Sequence, residues 1–175
     1  MKWAPYAGAM LCTTPIASYA SVYMTVEQAQ KLMLPAVSLQ KVAIHLSDEQ
    51  AKNLKKASGI SYPLKTDQVY KGSDGSWFIV DQALGKHEMI TYAVAIAANG
   101  AIKQVEVLEY NESYGAQVHE AAWVQQFVGK TSTSALTLGK DIRNISGATL
   151  SSKHLTESIK RILQFHAQVL KSLKS

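Results

Sequence analysis

Cysteine is almost missing from this chain: Cys12 is the one thiol in 175 residues. No internal disulfide and no multi-cysteine metal site can therefore form. Glycine and proline are also sparse, at 10 and 4 residues, too few for a low-complexity or collagen-like chain. Charge is low at 18% against 47% hydrophobic residues, the reverse of what keeps a chain disordered. A chain of this length buries about two-thirds or more of its unfolded surface, so one folded domain without staples is expected. No lysine stands in the Walker position after a glycine-rich loop, which argues against a nucleotide hydrolase. No Ser/His/Asp or Cys/His arrangement can be assembled from the residues present.

The formal charge of +5 is unevenly placed. Residues 1–149 hold 13 Lys and Arg against 12 Asp and Glu, whereas residues 150–175 hold 5 (Lys153, Lys160, Arg161, Lys171, Lys174) against Glu157 alone. The excess belongs to one terminal segment with no interleaved aromatics and no nucleic-acid motif. It reads first as a solvated helix face and next as a surface that steers an acidic protein partner; nucleic acid is not expected.

Residues 1–20 read as a signal peptide. Met1-Lys2 is a short positive start, Trp3 to Cys12 is apolar, and Ser18-Tyr19-Ala20 places small residues at the −3 and −1 positions of a cleavage site. Pro5 and Pro15 interrupt the apolar stretch, and residues 3–26 carry no charge, so an uncleaved membrane anchor is the alternative. Leu11 is larger than the residue that lipoprotein processing prefers before a cysteine. Cleavage would leave residues 21–175 as a single domain without cysteine, in keeping with an oxidising periplasm.

Thr25-Val-Glu-Gln28 and Ser47-Asp-Glu-Gln50 have the form of capping boxes, the first opening a helix to about Leu34, the second one ending near Gly59. Trp77 to Gln82 reads as a strand. Ile90, Tyr92, Val94 and Ile96 alternate with smaller residues, the period of a strand with one strongly buried face. Asn99-Gly100 predicts a tight hairpin because both residues accept positive φ, with Ile102 to Tyr110 returning antiparallel. A helix is expected from about His119 to Val128, ended by Gly129. Leu155, Ile159, Ile162, Leu163, His166, Val169, Leu170 and Leu173 recur at helical spacing, and His166 on that stripe reads as a core histidine. The expected class is α+β: an antiparallel sheet flanked by helices, with a long C-terminal helix.

The segment Asn144-Ile-Ser-Gly-Ala-Thr-Leu-Ser-Ser152 joins a loop to the start of that last helix. Free backbone N–H groups and the helix dipole favour an anion there. Gly147 and Ala148 leave the approach open, and Thr149, Ser151 and Ser152 bring hydroxyls. Helix capping by the same hydroxyls is the alternative.

Ser146-Gly-Ala-Thr-Leu-Ser-Ser152 resembles the flavinylation motif of the FMN-binding domain family, which includes flavoprotein subunits of the sodium-translocating NADH:quinone reductase and of the related ferredoxin-dependent complex. Gly85-Lys-His-Glu-Met-Ile-Thr-Tyr92, Glu112-Ser-Tyr-Gly115 and Trp123-Val-Gln-Gln-Phe-Val-Gly-Lys130 are similar to segments of small exported members. The resemblance covers about residues 65–165. It implies an exported electron-transfer protein with FMN as cofactor, esterified through its phosphate to Thr149 by a flavin transferase that uses FAD and a divalent metal. It also implies a site that includes Ser146, Gly147, Ala148, Leu150 and Ser151, with Glu112 and Gly115 from a loop near the flavin, and redox partner proteins that include membrane-bound ones. Tyr114 is either a ring-stacking residue or ordinary packing; His87 and Glu88 are either a solvated turn or a metal or proton-relay pair. The family usually has Asp six residues before the modified threonine, where this chain has Arg143; Asp141 lies two positions earlier. A flavin-using reductase acting on a small acceptor and a noncovalent FMN-binding module are the alternatives.

Overall fold

The computed structural model describes residues 21–112 and 115–173. The proposed leader with Cys12, and Tyr114 with its stacking role, lie outside the described residues. Six strands form one antiparallel sheet: β1 (Ser21–Val22), β2 (Leu39–Lys41), β3 (Val69–Gly72), β4 (Trp77–Leu84), β5 (Met89–Ile96) and β6 (Ile102–Tyr110), in the order β1-β6-β5-β4-β3-β2. The helices are α1 (Val26–Met33), α2 (Asp48–Ser58), the single turn α3 (Ala121–Val124) and α4 (Thr149–Gln168). The α+β class with its long C-terminal helix is thus the observed one.

Both capping boxes form. Thr25 and Gln28 exchange bonds of 3.2 and 2.8 Å at the start of α1, and Ser47 and Gln50 bonds of 3.2 and 2.9 Å at the start of α2. Each box satisfies two N–H groups that a helix start leaves orphaned.

The central strand differs from expectation in one respect: both faces of β5 are buried. Tyr92, Val94 and Ile96 join the larger core with Leu155, Ile159, Ile162 and Phe165 of α4. Ala93 and Ala95 belong to a second core with Phe78, Val80 and Leu108, under Ala29 and Met33 of α1. The alternation of large and small residues therefore marks a thick and a thin side of the sheet. Alanine on the thin side lets α1 approach closely.

The hairpin exists, but its turn is not the one expected. Among the two central residues only Gly100 has positive φ, at 88°. Asn99 instead accepts the Ala101 N–H on its side chain at 3.0 Å, and Ala97 N–H donates to Ala101 O at 2.8 Å. This is a three-residue loop with glycine in the left-handed position.

The helix expected over 119–128 is broken into 3-10 turns at Ala116–His119 and Gln125–Phe127 around α3. Glu120 is extended, with φ −64° and ψ 134°, which separates the pieces. The strand β4 runs to Leu84, where it pairs with Met89, and the short β1, β2 and β3 had no sequence reading.

The basic C-terminal segment is not simply a solvated face. Arg161 is 2% exposed and donates to Asp81 Oδ2 on β4 at 2.8 Å and to Tyr62 O at 2.8 Å. Asp81 also accepts from Tyr92 Oη at 3.0 Å. Burial first, then the charge of Asp81, holds the Tyr92 phenol well above its ordinary value, so it remains a donor. This cluster pins the middle of α4 to the sheet. Lys153 and Glu157 form only an exposed i,i+4 pair at 3.9 Å, worth about 0.3–0.5 kcal/mol. His166 is buried, as a core histidine should be.

Candidate functional site

Two loops and a helix end build a cleft of about 380 Å³, lined by Lys86, His87, Glu112, Gly147, Ala148, Thr149, Leu150 and Ser151. Seven of the eight residues singled out from sequence lie in or against it. Five of them, with Glu112, line the wall directly. Gly115 packs behind Ala148; Ser146 is exposed and is not among the lining residues.

Thr149 is the first residue of a 20-residue helix. Its predecessor Ala148 is the N-cap, and no side chain among the described residues caps the helix. The first intrahelical bond runs from Ser152 N–H to Ala148 O at 2.9 Å. The N–H groups of Thr149, Leu150 and Ser151 therefore lack intrahelical acceptors. Capping by Thr149, Ser151 or Ser152 does not occur. Thr149 Oγ1 instead accepts from the Asn144 side-chain amide at 3.1 Å, and Ser151 Oγ meets Tyr110 Oη at 3.1 Å. An uncapped helix start with orphan donors in a cleft suits an anion.

The loop before Thr149 is held from behind. Trp123 Nε1 donates to Arg143 O at 2.7 Å, and Arg143 N–H donates to Gln126 Oε1 at 2.8 Å. The indole and amide of the Trp123 segment thus fix the backbone six residues ahead of the threonine. The Arg143 residue itself is exposed. Asp141 does not take over the position of the missing Asp: its Oδ2 accepts from Thr137 N–H at 2.9 Å and closes its own loop.

The opposite wall is a turn wrapped around a carboxylate. Glu112 Oε1 accepts from the N–H groups of His87 and, at 3.0 Å, of Glu88. A Cβ on Gly85 would lie 2.5 Å from that same oxygen, so glycine is needed for the approach. Burial pushes the Glu112 carboxyl up, but bonds from the backbone of residues 86–88 and the nearby His87 outweigh it and hold it below its ordinary value. His154, one turn into α4, donates from Nδ1 to Leu84 O at 2.8 Å, tying the helix to this turn. His87 and Glu88 belong to no cluster of three or more metal-ligating side chains among the described residues.

A depressed folded pKa means that the Glu112 contribution is complete above the unfolded carboxylate value of about 4.3 and is lost as pH falls through the lower folded value. Glu112→Gln should therefore lower the thermal midpoint at pH 7, and the gap to wild type should close on acidification below about pH 4. A gap that stays constant with pH would show that the charge is irrelevant to the turn.

Gly115 has φ 90°, and a Cβ there would stand 2.7 Å from both Ala148 Cβ and Tyr110 Oη. Gly115→Ala is expected to cost about 1–3 kcal/mol from the backbone conformation alone, and more from pushing Ala148 aside. Urea unfolding measures this; a midpoint equal to wild type contradicts it.

Lys86, Asn144, Tyr110 and His154 had no role assigned from sequence. The partners of Tyr110 and His154 are 41 and 70 residues away, and no local pattern announces them. The glycine of Gly85-Lys-His-Glu was the one visible trace of the turn.

A sheet closed by a long helix, whose uncapped N-terminus opens on a hydroxyl-bearing cleft, makes an α+β domain with a place suited to an anion. Residues 85–164 match the family model described as FMN-binding domain. That segment is a member of the FMN-binding domain family, and FMN is its cofactor. The match begins at the glycine beside Glu112 and takes in every cleft-lining residue. No curated protein matches the chain.

Proposed function

We propose that this chain is an exported electron-transfer protein whose FMN is esterified through its phosphate to Thr149. The position of the Thr149 hydroxyl carries the reading: it stands exposed at the mouth of the cleft, beside three orphan N–H donors and with its oxygen oriented by Asn144. The residues present fit the cofactor. The helix start and Lys86 suit a phosphate, while Ala148 and the 44% exposed Leu150 give apolar surface to a ring. FMN supplies reversible electron and proton uptake when bound. The protein orients the hydroxyl, neutralises the phosphate with backbone dipoles, and keeps the Glu112 turn at the opposite wall.

Attachment requires a flavin transferase. The threonine oxygen displaces AMP from FAD, forming one P–O bond and breaking another, and the hydroxyl proton leaves. Redox partner proteins, some of them membrane-bound, then deliver and accept electrons. A tether prevents loss of cofactor outside the cytoplasm.

Coexpression with a flavin transferase tests the proposal. In-gel fluorescence that survives denaturation, and an intact mass increased by one FMN less one water, are expected; absence of both, while a control substrate is modified, overturns covalent attachment. Fractionation with antibody to the native chain tests export, and a wholly cytoplasmic product contradicts it. Arg143 stands where an acidic residue is usual, and its backbone is fixed independently of its side chain. Arg143→Asp should therefore leave stability within about 0.5 kcal/mol and speed modification severalfold in a timed transferase assay. An unchanged rate would show that the acidic residue is dispensable.

A further inference from the structure

Leu84, the last residue of β4, is strapped to α4 through both of its backbone groups. Its carbonyl accepts from His154 Nδ1 at 2.8 Å, and the same nitrogen lies 3.2 Å from Gly85 O. With carbonyls as its partners, Nδ1 carries the ring proton. The Leu84 N–H donates to Tyr62 Oη at 3.2 Å, and that hydroxyl meets Ser158 Oγ, about one helical turn beyond His154, at 3.2 Å.

A second pin joins the same strand and helix where Arg161 donates to Asp81 at 2.8 Å. From His154 to Arg161 is about 10.5 Å of helix, and from Leu84 to Asp81 about 10 Å of strand. The spans match, so the two pins fix how the helix lies along the strand. Beyond His154 the two elements part: the helix runs back about 7.5 Å to Thr149, while the strand passes into the turn that carries Lys86 and His87. These are the two walls of the cleft. Among the described residues no hydrogen bond joins residues 85–88 to residues 147–151, so His154 is the tie at the base of the gap.

We propose that His154 is a positioning residue that sets the width of the flavin cleft. Its Nδ1–H holds the turn at Gly85, and with it Lys86, His87 and the Glu112 carboxylate, at a fixed distance from the first turn of α4. Without that donor the turn swings away from the helix, and a bound flavin gains room to move. The proposal rests on FMN occupying this cleft; it does not depend on whether the cofactor is esterified.

The test uses the full chain carrying FMN. His154→Asn keeps an N–H donor at the place of Nδ1, His154→Leu keeps the bulk without a donor, and His154→Gln moves the donor one bond further out. The His87 and Glu88 amides, which bond Glu112, should exchange hydrogen about tenfold faster in His154→Leu and His154→Gln and near the wild-type rate in His154→Asn. Amides in the middle of α4 keep their wild-type rate and show that each variant is folded. The decay of flavin fluorescence anisotropy should gain a fast local component, about threefold larger in His154→Leu and His154→Gln than in wild type or His154→Asn. Leu150→Asp, on the opposite wall, should alter the same component. If Leu150→Asp alters it and His154→Leu and His154→Gln do not, the proposal is overturned and the cleft reading stands. Equal effects of His154→Asn and His154→Leu, or unchanged exchange at His87 and Glu88, also overturn the proposal. A flavin signal indifferent to Leu150→Asp places FMN elsewhere, and the cleft reading then falls together with the role of His154.

Discussion

If FMN is esterified to Thr149 as proposed, Thr149→Val should remove all covalent flavin and leave the fold intact. Valine keeps the β-branched shape and lacks only the nucleophilic oxygen. The wild-type hydroxyl caps nothing and, among the described residues, makes one bond, from Asn144 at 3.1 Å. Residue 149 is exposed, so neither a cavity nor a buried orphan results, and the stability change should stay below about 1 kcal/mol. The expected result is a denatured band without fluorescence and an unmodified mass, beside a normal unfolding curve. Thr149→Ser retains the oxygen and should retain modification. The pair also separates tethering from pocket affinity: a noncovalent module would hold FMN in native Thr149→Val and lose it equally from both proteins on denaturation. Fluorescence that survives denaturation in Thr149→Val would move the attachment point elsewhere.

Local chemistry explains which features were legible in sequence. The capping boxes at Thr25 and Ser47 and the stripe from Leu155 onward need only near neighbours; both boxes form as expected, and the stripe holds to the end of α4 at Gln168, beyond which Leu170–Ser172 is a 3-10 turn and Leu173 is exposed. The Thr149 segment stood out through its resemblance to a family motif, because a helix start alone reads equally as an anion site or as a cap. What failed depended on distant partners. Ala93 and Ala95 looked like the weak side of a strand until α1 covered them. Arg161 looked like one more basic residue on a solvated face. Its partner Asp81 lies 80 positions away, on β4, and no window of sequence joins the two.

That pair makes the second large effect. Asp81→Ala leaves the Arg161 charge buried with no counterion, since both side chains are under 3% exposed. Breaking such a pair from one side costs about 3–5 kcal/mol, a large part of the roughly 5–15 kcal/mol that holds a domain together. Asp81 also accepts from Tyr92 Oη and from Lys65 N–H at 3.2 Å, so its loss strands donors on two further elements. Asp81→Asn keeps an acceptor and the shape, and should fall between wild type and Asp81→Ala. Removing both charges, as Asp81→Leu with Arg161→Met, should recover more than half of the loss, because an apolar pair carries no desolvation penalty. Urea unfolding reads all four proteins, and an Asp81→Ala midpoint within about 1 kcal/mol of wild type would sink the account. The pair lies midway along the helix whose first residue is Thr149, and it joins that helix to the strand that runs into the Glu112 turn. Flavin incorporation in Asp81→Ala should therefore fall with the folded fraction as temperature rises, whereas Thr149→Val lacks it at every temperature.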